Sequence, residues 1–243
     1  LCASSKVPSR SFLDMISWHS SCTRGELNIK ETDLDSIIPG VLTGGTAPVA
    51  RALSLMEDLR THRAQLQRAL LSRLERLCDP DHRVMGLTGP PGVGKSTLAN
   101  AIAQGWLRQG LGVGMTAVDP SSQRTGGALL GDRARMDTQP GQKLFIRSLA
   151  SAACLGGLAP ASRGAAAVLR AAFDRTIVET VGVGQSEIAI ETLVDTVVLV
   201  LQPGSGDTLQ FMKAGILEIP DIFVVHKADL GTAAEKTRAD LAA

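Results

Sequence analysis

One short stretch, residues 89–97, limits what this 243-residue chain can fold into more than any other. It reads Gly-Pro-Pro-Gly-Val-Gly-Lys-Ser-Thr, which fits the phosphate-binding pattern G-x-x-x-x-G-K-[ST]. Glycines at its first and sixth positions let the backbone curl until successive N–H groups point at phosphate oxygens. The pattern requires a strand before it and a helix after it. Apolar runs at 83–88 and 98–107 supply both, so the stretch predicts nucleotide binding.

The residues of this loop have separate predicted roles. Lys95 is placed to reach the β- and γ-phosphates, and the Ser96 hydroxyl is placed to ligate Mg²⁺. The helix that follows directs the positive end of its dipole at the bound anion. The predicted nucleotide-binding residues of the loop are Gly89, Pro90, Pro91, Gly92, Val93, Gly94, Lys95, Ser96 and Thr97. A nucleoside triphosphate with Mg²⁺ is therefore the expected ligand.

Apolar runs that alternate with helix-like stretches predict an α/β fold. Runs rich in Val, Ile and Leu are typical of strands covered on both faces, so we expect a mainly parallel sheet with helices on both faces. Further strands are predicted at 112–118, 144–147, 175–180, 196–201 and 221–226, and an Ala-rich helix at 159–173. The expected fold class is therefore a P-loop NTPase.

The part of the chain before the loop is predicted to be helical. Apolar residues at helical spacing predict one long helix over 48–77. The pairs Pro39-Gly40 and Gly44-Gly45 are expected to interrupt the polar segment before it. An N-terminal helical segment is therefore expected ahead of the nucleotide-binding domain.

Three regions are expected along the chain. Residues 1–24 indicate a disordered or spurious leader, 25–80 the helical segment, and 81–243 the P-loop domain. The leader is rich in Ser and poor in acidic residues, a composition that organelle transit peptides share. The expected location is the cytoplasm, or the mitochondrial matrix if the leader is a transit peptide.

Charge and composition exclude several kinds of partner. Lys and Arg number 25 against 24 Asp and Glu, without a basic stripe, so nucleic acid is not an expected partner. Aromatic residues make up only 3% of the chain, which disfavours a base-stacking platform. No apolar run approaches the roughly 20 residues of a membrane span. The 4 cysteines and 4 histidines are widely scattered, which disfavours disulfides and a zinc or nickel site.

Carboxylates after the predicted strands are candidate metal and catalytic groups, because ligands of an open parallel sheet bind beyond the carboxyl ends of its strands. Asp119 would hold the Mg²⁺ shell, orient a nucleophile, or form an Asx turn before Pro120. Asp132, in a glycine-rich charged loop, is a second candidate for the metal shell. Glu179-x-x-Gly182 follows the pattern of a P-loop switch, in which the carboxylate binds Mg²⁺ through water and the glycine N–H contacts the γ-phosphate.

The last predicted strand ends at His226-Lys-Ala-Asp, which fits the guanine-reading pattern x-K-x-D. Asp229 would accept hydrogen bonds from guanine N1–H and the 2-amino group, neither of which adenine offers. The Lys227 stem would stack on the base. His226 stands where this pattern usually has Asn. Because that Asn mainly braces the loop, we expect weaker guanine affinity. The expected nucleotide is therefore GTP or GDP.

Together these motifs resemble the MeaB/ArgK/MMAA GTPases, a family within the dimerising P-loop NTPases. The resemblance covers roughly residue 25 to the end and includes the motifs at 89–97, 118–122, 126–132, 179–187, 202–210 and 213–218. Its most specific motif is Glu-Thr-Val-Gly-Val-Gly-Gln-Ser-Glu at 179–187. The resemblance implies a GTPase chaperone that gates cofactor loading and protects an adenosylcobalamin-dependent acyl-CoA mutase, typically methylmalonyl-CoA mutase.

The resemblance also implies roles for single residues by their position in the motifs. The implied catalytic residues are Lys95, Asp119, Glu179 and Gly182. The implied Mg²⁺ ligands are Ser96, Asp119, Asp132 and Glu179. Asp207 and Lys213 are implied to sense the partner, and Lys227 and Asp229 to read the base. His226, which departs from the family pattern, is predicted to bind the nucleotide beside them.

Departures from the family pattern leave alternatives open. Cys154 stands where the family commonly has Thr. The sequence stops at Ala243, before the family's dimerisation arm, which leaves the family-type homodimer open. A nickel metallochaperone GTPase would need Cys or His ligands near a switch, which Cys154 alone does not supply. A kinase would need an acceptor site and usually adenine selectivity, against which Asp229 argues. A fragment without enzymatic activity is the remaining alternative.

Overall fold

The structure, a computed structural model, describes residues 31–58, 60–79, 82–119, 141–150, 160–180, 190–203 and 218–242. The predicted leader lies outside these residues. Four predicted site residues also lie outside them, namely Asp132, Gly182, Asp207 and Lys213. The backbone of Asp119 is described, whereas its side chain is not.

A parallel β-sheet forms the centre of the molecule. Its six strands within the described residues are β1 (Val84–Thr88), β2 (Val113–Asp119), β3 (Leu144–Ala150), β4 (Arg175–Thr180), β5 (Thr196–Leu201) and β6 (Ile222–Val225). They lie in the order β3-β2-β4-β1-β5-β6, and every neighbouring pair is parallel. β4 and β5 have their predicted bounds, whereas β3 continues past 147 because its pairing with β2 extends to Ala150.

Helices cover both faces of this sheet. They are α1 (Glu31–Leu42), α2 (Thr46–Met56), α3 (Ala64–Glu75), α4 (Lys95–Arg108), α5 (Pro160–Ala172) and α6 (Thr232–Ala242). Phe145 of β3 joins the apolar core of α1, α2, α3 and α5, and Ile146 joins the core of α4. Successive strand residues point to opposite faces, so the predicted layered α/β fold is confirmed. None of the described helices has the length and apolar character needed to cross a membrane.

The prediction of one long helix over 48–77 is wrong. Two helices occupy this stretch, since α2 ends at Met56 and α3 begins at Ala64. Asp58 stabilises the bend between them by accepting hydrogen bonds from the Arg60 N–H (3.2 Å) and from the Arg60 guanidinium (2.8 and 2.6 Å). The bend lets both helices turn their apolar sides to one core, and apolar spacing alone does not distinguish this arrangement from a straight helix.

The predicted break at Pro39-Gly40 is also wrong, whereas the break at Gly44-Gly45 is confirmed. α1 runs through Pro39, which lies in its last turn and removes only one N–H donor there. The helix then ends at a glycine cap. Gly44 has φ +71°, and the N–H of Gly45 donates to the carbonyl oxygen of Gly40 (2.9 Å).

An ion pair fixes the N-terminal helices to the sheet. The Arg147 guanidinium on β3 pairs with the Glu57 carboxylate at the end of α2. It also donates to the carbonyl oxygen of Ala50 (2.9 Å) and to the hydroxyl of Ser54 (3.0 Å). Burial raises the pKa of Glu57 despite the opposing effect of Arg147. The helices before the phosphate loop therefore form one packed unit with the sheet that carries the loop.

His82, just before β1, makes the stability of the fold depend on pH. It is 4% exposed, and its Nε2 lies 3.3 Å from Thr176 Oγ1. Burial, and then the charges of Arg170 and Arg175, lower its pKa below the usual 6.5 against the opposing effect of nearby carboxylates. Below that pH the unfolded chain binds more protons than the folded one. The stability that neutral His82 contributes is therefore present above pH 6.5 and is lost as the pH falls.

His82→Gln is expected to reduce this pH dependence. The free energy of unfolding is measured by urea denaturation at two pH values, one near neutral and one about one unit below the usual histidine pKa. Between these two pH values it should fall less for the variant than for the wild type. His62→Gln, at an exposed histidine, is the matched control and should keep the wild-type dependence. The same dependence in His82→Gln and the wild type would contradict the prediction.

Candidate nucleotide-binding site

The phosphate loop follows β1 and requires glycine at two positions. Gly89 has φ +138°, and a Cβ there would collide with the carbonyl oxygen of Val200 on β5. Gly94 has φ +105°, and a Cβ there would lie 2.6 Å from Cε1 of His226. Residues other than glycine rarely adopt either φ value. The loop is therefore packed tightly against β5 and against the segment that follows β6.

Val93 and Lys95 hold the loop from its inner side. Val93 is fully buried in the core beneath α4. Lys95 is 6% exposed, and its Nζ donates to the carbonyl oxygens of Gly89 (2.8 Å) and Pro90 (2.9 Å). A buried ammonium needs such acceptors, and the loop itself provides them. The positive charge of Lys95 is thus held within the phosphate loop.

The first turn of α4 has the features of an anion site. The helix begins at Lys95, its N-cap residue Gly94 has no side chain to cap it, and its first turn contains no acidic residue. The first N–H groups of a helix have no partner within the helix, and the helix dipole adds partial positive charge to them. Pro91 and Gly92 in the loop are exposed, so a phosphate can approach from solvent.

Ser96 and Glu179 connect α4 to β4. The Ser96 hydroxyl donates to Glu179 Oε1 across 2.7 Å, and Glu179 is 8% exposed. Thr97, the next residue of the loop, is exposed. Mg²⁺ in nucleotide sites usually takes one or two protein oxygens together with substrate phosphates. The hydroxyl and the carboxylate present here are oxygen donors that fit the predicted ion.

Asp119 ends β2 at the same edge of the sheet. β2 and β4 pair in register as far as Val118 and Thr180, so Asp119 lies one residue further along, beside the strand that carries Glu179. The backbone of Asp119 pairs with Ala150 of β3. Ligands of an open parallel sheet bind at this edge. The position of Asp119 therefore agrees with a role in the site, and its predicted contact with the metal stays a prediction.

The segment after β6 contacts the phosphate loop directly. The imidazole of His226 packs against Gly94. Lys227 has φ +57°, an uncommon left-handed backbone for a residue with a side chain. Its ammonium donates to Gln202 Oε1 (2.7 Å) and to the carbonyl oxygen of Gly92 (3.3 Å). His226 and Lys227 of the predicted base-reading segment thus contact the predicted phosphate-binding loop.

Asp229 lies at the outer side of this segment. It is in the short 3₁₀ helix Ala228–Leu230 and is exposed. A carboxylate that reads a base must be open to the ligand, and this one is. Its position is therefore compatible with the predicted role as guanine acceptor, which stays a prediction.

Two contacts of the site are not evident from the sequence. Gln202 directly follows β5 and holds the Lys227 ammonium. The hydroxyls of Thr88 and Thr180, at the ends of β1 and β4, lie 3.0 Å apart. All three polar residues stand at or just after the carboxyl ends of strands, which is the signal that would find them. Threonine is common in strands, however, so its identity alone does not mark a site.

The nickel alternative gains no support from the residues that the structure describes. Among them, no group of three or more His, Cys, Asp or Glu side chains is placed to hold a metal ion. Cys154, the cysteine nearest to a predicted switch, lies outside the described ranges.

A cleft elsewhere on the molecule does not belong to the nucleotide site. It has a volume of about 350 Å³ and lies between α3, α5 and the start of β1, at the opposite end of that strand from the phosphate loop. Arg163 crosses it and donates to the Thr192 hydroxyl (2.8 Å). Cys78 also lines it, and burial raises the pKa of the Cys78 thiol.

The arrangement around β1 defines the class of protein. A strand of a parallel sheet runs into a glycine loop and then into a helix, the loop holds a lysine, and a serine of the helix bonds a carboxylate of the neighbouring strand. This is the architecture of a P-loop NTPase. Within that class the chain belongs to the MeaB family, since the family model described as methylmalonyl Co-A mutase-associated GTPase MeaB matches residues 49–243.

Individual relatives agree with this family. The GTPase ArgK of Escherichia coli is 39% identical over 203 residues, which cover 83% of this chain and 61% of that protein. The mitochondrial methylmalonic aciduria type A homolog of Mus musculus is 36% identical over 218 residues, 85% of this chain and 52% of that protein. The crystal structure of an LAO/AO transport system kinase matches with a TM-score of 0.55 and 25% identity, covering 88% of this chain and 76% of that one. This chain thus spans less than two thirds of the length of these curated relatives.

Proposed function

We propose that this chain is the nucleotide-binding part of a GTPase that binds GTP with Mg²⁺ and hydrolyses it. The observation that carries the proposal is the 2.7 Å hydrogen bond between Ser96 and Glu179 beside the phosphate loop. It brings together a hydroxyl and a carboxylate, two oxygen ligands that would hold a metal ion beside the phosphate loop. A family whose description names a GTPase supports the same activity.

Each group of the site has a part in the proposed reaction. The N–H groups of the loop and of α4 bind phosphate oxygens, and Lys95 stabilises the negative charge that develops as the bond to the γ-phosphorus breaks. Ser96, Glu179 and Asp119 would hold Mg²⁺, which neutralises charge on the β- and γ-phosphates. The N–H of Gly182 is assigned to the γ-phosphate. Attack by water then releases inorganic phosphate and GDP.

Guanine selectivity is assigned to the segment after β6. Gln202 and the carbonyl oxygen of Gly92 hold the Lys227 ammonium, so the Lys227 stem lies beside the phosphate loop. Asp229, two residues further on, is exposed and would accept the N1–H and 2-amino hydrogens of the base. His226 contacts Gly94 and so connects the reading of the base to the shape of the phosphate loop.

We propose further that nucleotide hydrolysis controls a partner enzyme. The partner would be an adenosylcobalamin-dependent acyl-CoA mutase of the methylmalonyl-CoA mutase type, whose cofactor loading and protection the GTPase gates. The family description, which names methylmalonyl Co-A mutase, supports this partner, as does the mouse relative named for methylmalonic aciduria. Asp207 and Lys213 are proposed to sense the partner, and Asp132 to complete the Mg²⁺ shell.

The compartment proposed for this activity is the cytoplasm. The mitochondrial matrix is the alternative, which the name of the mouse relative supports.

GTP turnover with and without a purified cobalamin-dependent methylmalonyl-CoA mutase tests both levels of the proposal. We expect release of inorganic phosphate from GTP alone, faster release with the mutase, and binding to the mutase that changes about 5-fold or more when the non-hydrolysable analogue GMPPNP is added. An acyl-CoA enzyme without cobalamin is the control. Turnover without stimulation or co-migration would contradict the mutase and leave the GTPase. Transfer of phosphate to an acceptor, without release to water, would favour the kinase alternative.

A further inference from the structure

A pair of buried hydroxyls joins β1 to β4 where the phosphate loop leaves the sheet. Backbone pairing of the two strands runs as far as Leu87 and Glu179. One residue further along, Thr180 Oγ1 lies 3.0 Å from Thr88 Oγ1. Thr88 is 1% exposed and Thr180 is 0% exposed. The two strand ends are thus held together by side chains at the point where the backbone pairs stop.

Each threonine of the pair is the sequence neighbour of a residue of the candidate site. Thr88 immediately precedes Gly89, the first residue of the phosphate loop, and Thr180 immediately follows Glu179, the carboxylate of the site. Beyond Thr180 the chain continues into residues 181–189, which contain the predicted switch. The hydroxyl pair therefore joins the residue before the phosphate loop to the residue after the carboxylate.

The pair lies on the opposite face of the sheet from the hydrogen bond between Ser96 and Glu179. Successive strand residues point to opposite faces, and Glu179 faces α4, where it meets Ser96. Val178, on the same side as Thr180, packs in a cluster with Ala166 of α5. The two hydroxyls therefore lie away from Ser96 and the Glu179 carboxylate and can act on them only through the backbone.

We propose that Thr88 and Thr180 are positioning residues that hold Glu179 at bonding distance from Ser96. This inference rests on the proposed GTPase function. The phosphate loop has its own supports, namely the buried Val93, the carbonyl contacts of Lys95 and the packing against β5. Loss of the hydroxyl pair therefore displaces Glu179 more than it displaces the groups that bind phosphate. The rate of hydrolysis and the Mg²⁺ dependence of binding are therefore reduced more than the affinity for the nucleotide without Mg²⁺.

Thr180→Val tests the inference, because valine has a similar shape and lacks the hydroxyl. We expect kcat for GTP to fall about 10-fold or more, since a small misplacement of a reacting group is costly. GDP affinity measured without Mg²⁺ should stay within about 2-fold of the wild type, as the phosphate loop keeps its supports. Thr180→Ser keeps the hydroxyl and should retain most of the wild-type kcat. Thr88→Val removes the same hydroxyl pair but leaves Thr180 Oγ1 within 3.5 Å of the carbonyl oxygen of Leu87, so its kcat should fall no further than that of Thr180→Val. The double variant should match Thr180→Val, because the pair is already lost there.

Thr116→Val is the matched control. Thr116 is in β2, is 3% exposed, and its hydroxyl has no hydrogen-bond partner in the part of the chain that the structure describes. The substitution thus makes the same chemical change in the same sheet without removing a hydrogen bond. We expect kcat and Mg²⁺ dependence to stay at the wild-type values.

The factor by which Mg²⁺ strengthens GMPPNP binding is a second readout that needs no turnover. It should fall in Thr180→Val and recover in Thr180→Ser. Wild-type values of kcat and of this Mg²⁺ factor in Thr180→Val would overturn the inference. Equal losses of kcat and of GDP affinity without Mg²⁺ would also overturn it, because they indicate a merely structural role.

The wild type separates this inference from the proposed function. A wild-type protein that binds nucleotide with Mg²⁺ but does not hydrolyse GTP would contradict the proposed function, while the Mg²⁺ factor would still decide the role of the pair. A wild type without Mg²⁺-dependent binding would overturn both.

Discussion

Lys95→Ala is expected to lower GTP turnover at least about 100-fold, the usual cost of removing one preorganised donor from a developing negative charge. The ammonium is buried and is held by two carbonyl oxygens of the phosphate loop, 2.8 and 2.9 Å away. Its charge is thus already in place when the γ-phosphate becomes more negative in the transition state. Additional Mg²⁺ does not replace it, because the proposed metal ligands, Ser96 and Glu179, are separate groups. We therefore expect the loss at every Mg²⁺ concentration.

Release of inorganic phosphate, measured over a titration of Mg²⁺, checks this prediction. Lys236→Ala removes an exposed lysine on α6 and should keep the wild-type rate. Circular dichroism of Lys95→Ala should show the wild-type content of helix and strand, which separates lost chemistry from lost folding. Full turnover by Lys95→Ala at any Mg²⁺ concentration would remove the assignment of residues 89–97 as the phosphate loop of a GTPase.

The sheet was predictable because its strands carry their own signal. β5 is a continuous run of β-branched residues and Leu, and β4 contains four β-branched residues, so both strands were predicted with the bounds that they have. The bend between α2 and α3 has no such signal, since neither glycine nor proline marks it. It depends on the side chain of Asp58 and on the common core that both helices reach. Contacts of that kind exist only in the folded chain, which is why a straight helix was the wrong prediction.

The candidate site also combines features that the sequence predicts with contacts that only the fold creates. Gly89, Lys95 and Ser96 belong to one contiguous motif, so their chemistry can be predicted from their order. The bond between Ser96 and Glu179 joins residues 83 positions apart and requires β4 to lie next to β1. The contact of Lys227 with Gln202 similarly requires β6 next to β5. Strand order depends on packing over the whole sheet, and no local motif specifies it.

The replacement of Asn by His226 changes how the base-reading segment is braced. The imidazole packs against Gly94 of the phosphate loop, and among the described residues its Nδ1 is buried without a hydrogen-bond partner. Packing of the imidazole, and not a hydrogen bond from this nitrogen, thus connects the base-reading segment to the phosphate loop. An unpaired buried polar atom is unfavourable, and this cost bears on the packing of the two loops. The weaker guanine affinity expected from the replacement of Asn stays a prediction.

Asp229→Ala is expected to abolish the preference for guanine over adenine. In the proposed complex the carboxylate accepts two hydrogen bonds, from guanine N1–H and the 2-amino group. Hydrogen bonds to charged groups contribute about 1.5–3 kcal/mol each, so losing both should weaken GDP binding about 100-fold or more. ADP offers neither donor and should bind the variant as it binds the wild type, which makes the ratio of the two affinities the informative quantity.

Fluorescent GDP and ADP analogues measure this ratio directly. Asp240→Ala, at an exposed carboxylate on α6, removes the same charge from the same end of the chain and should keep the wild-type preference. If the control also lost GDP affinity, general electrostatics and not base reading would explain the effect. Wild-type protein that binds ADP as tightly as GDP would overturn the role of Asp229 altogether. The phosphate loop would then be shared with adenine-nucleotide enzymes, because that loop binds phosphates and does not distinguish between the two bases.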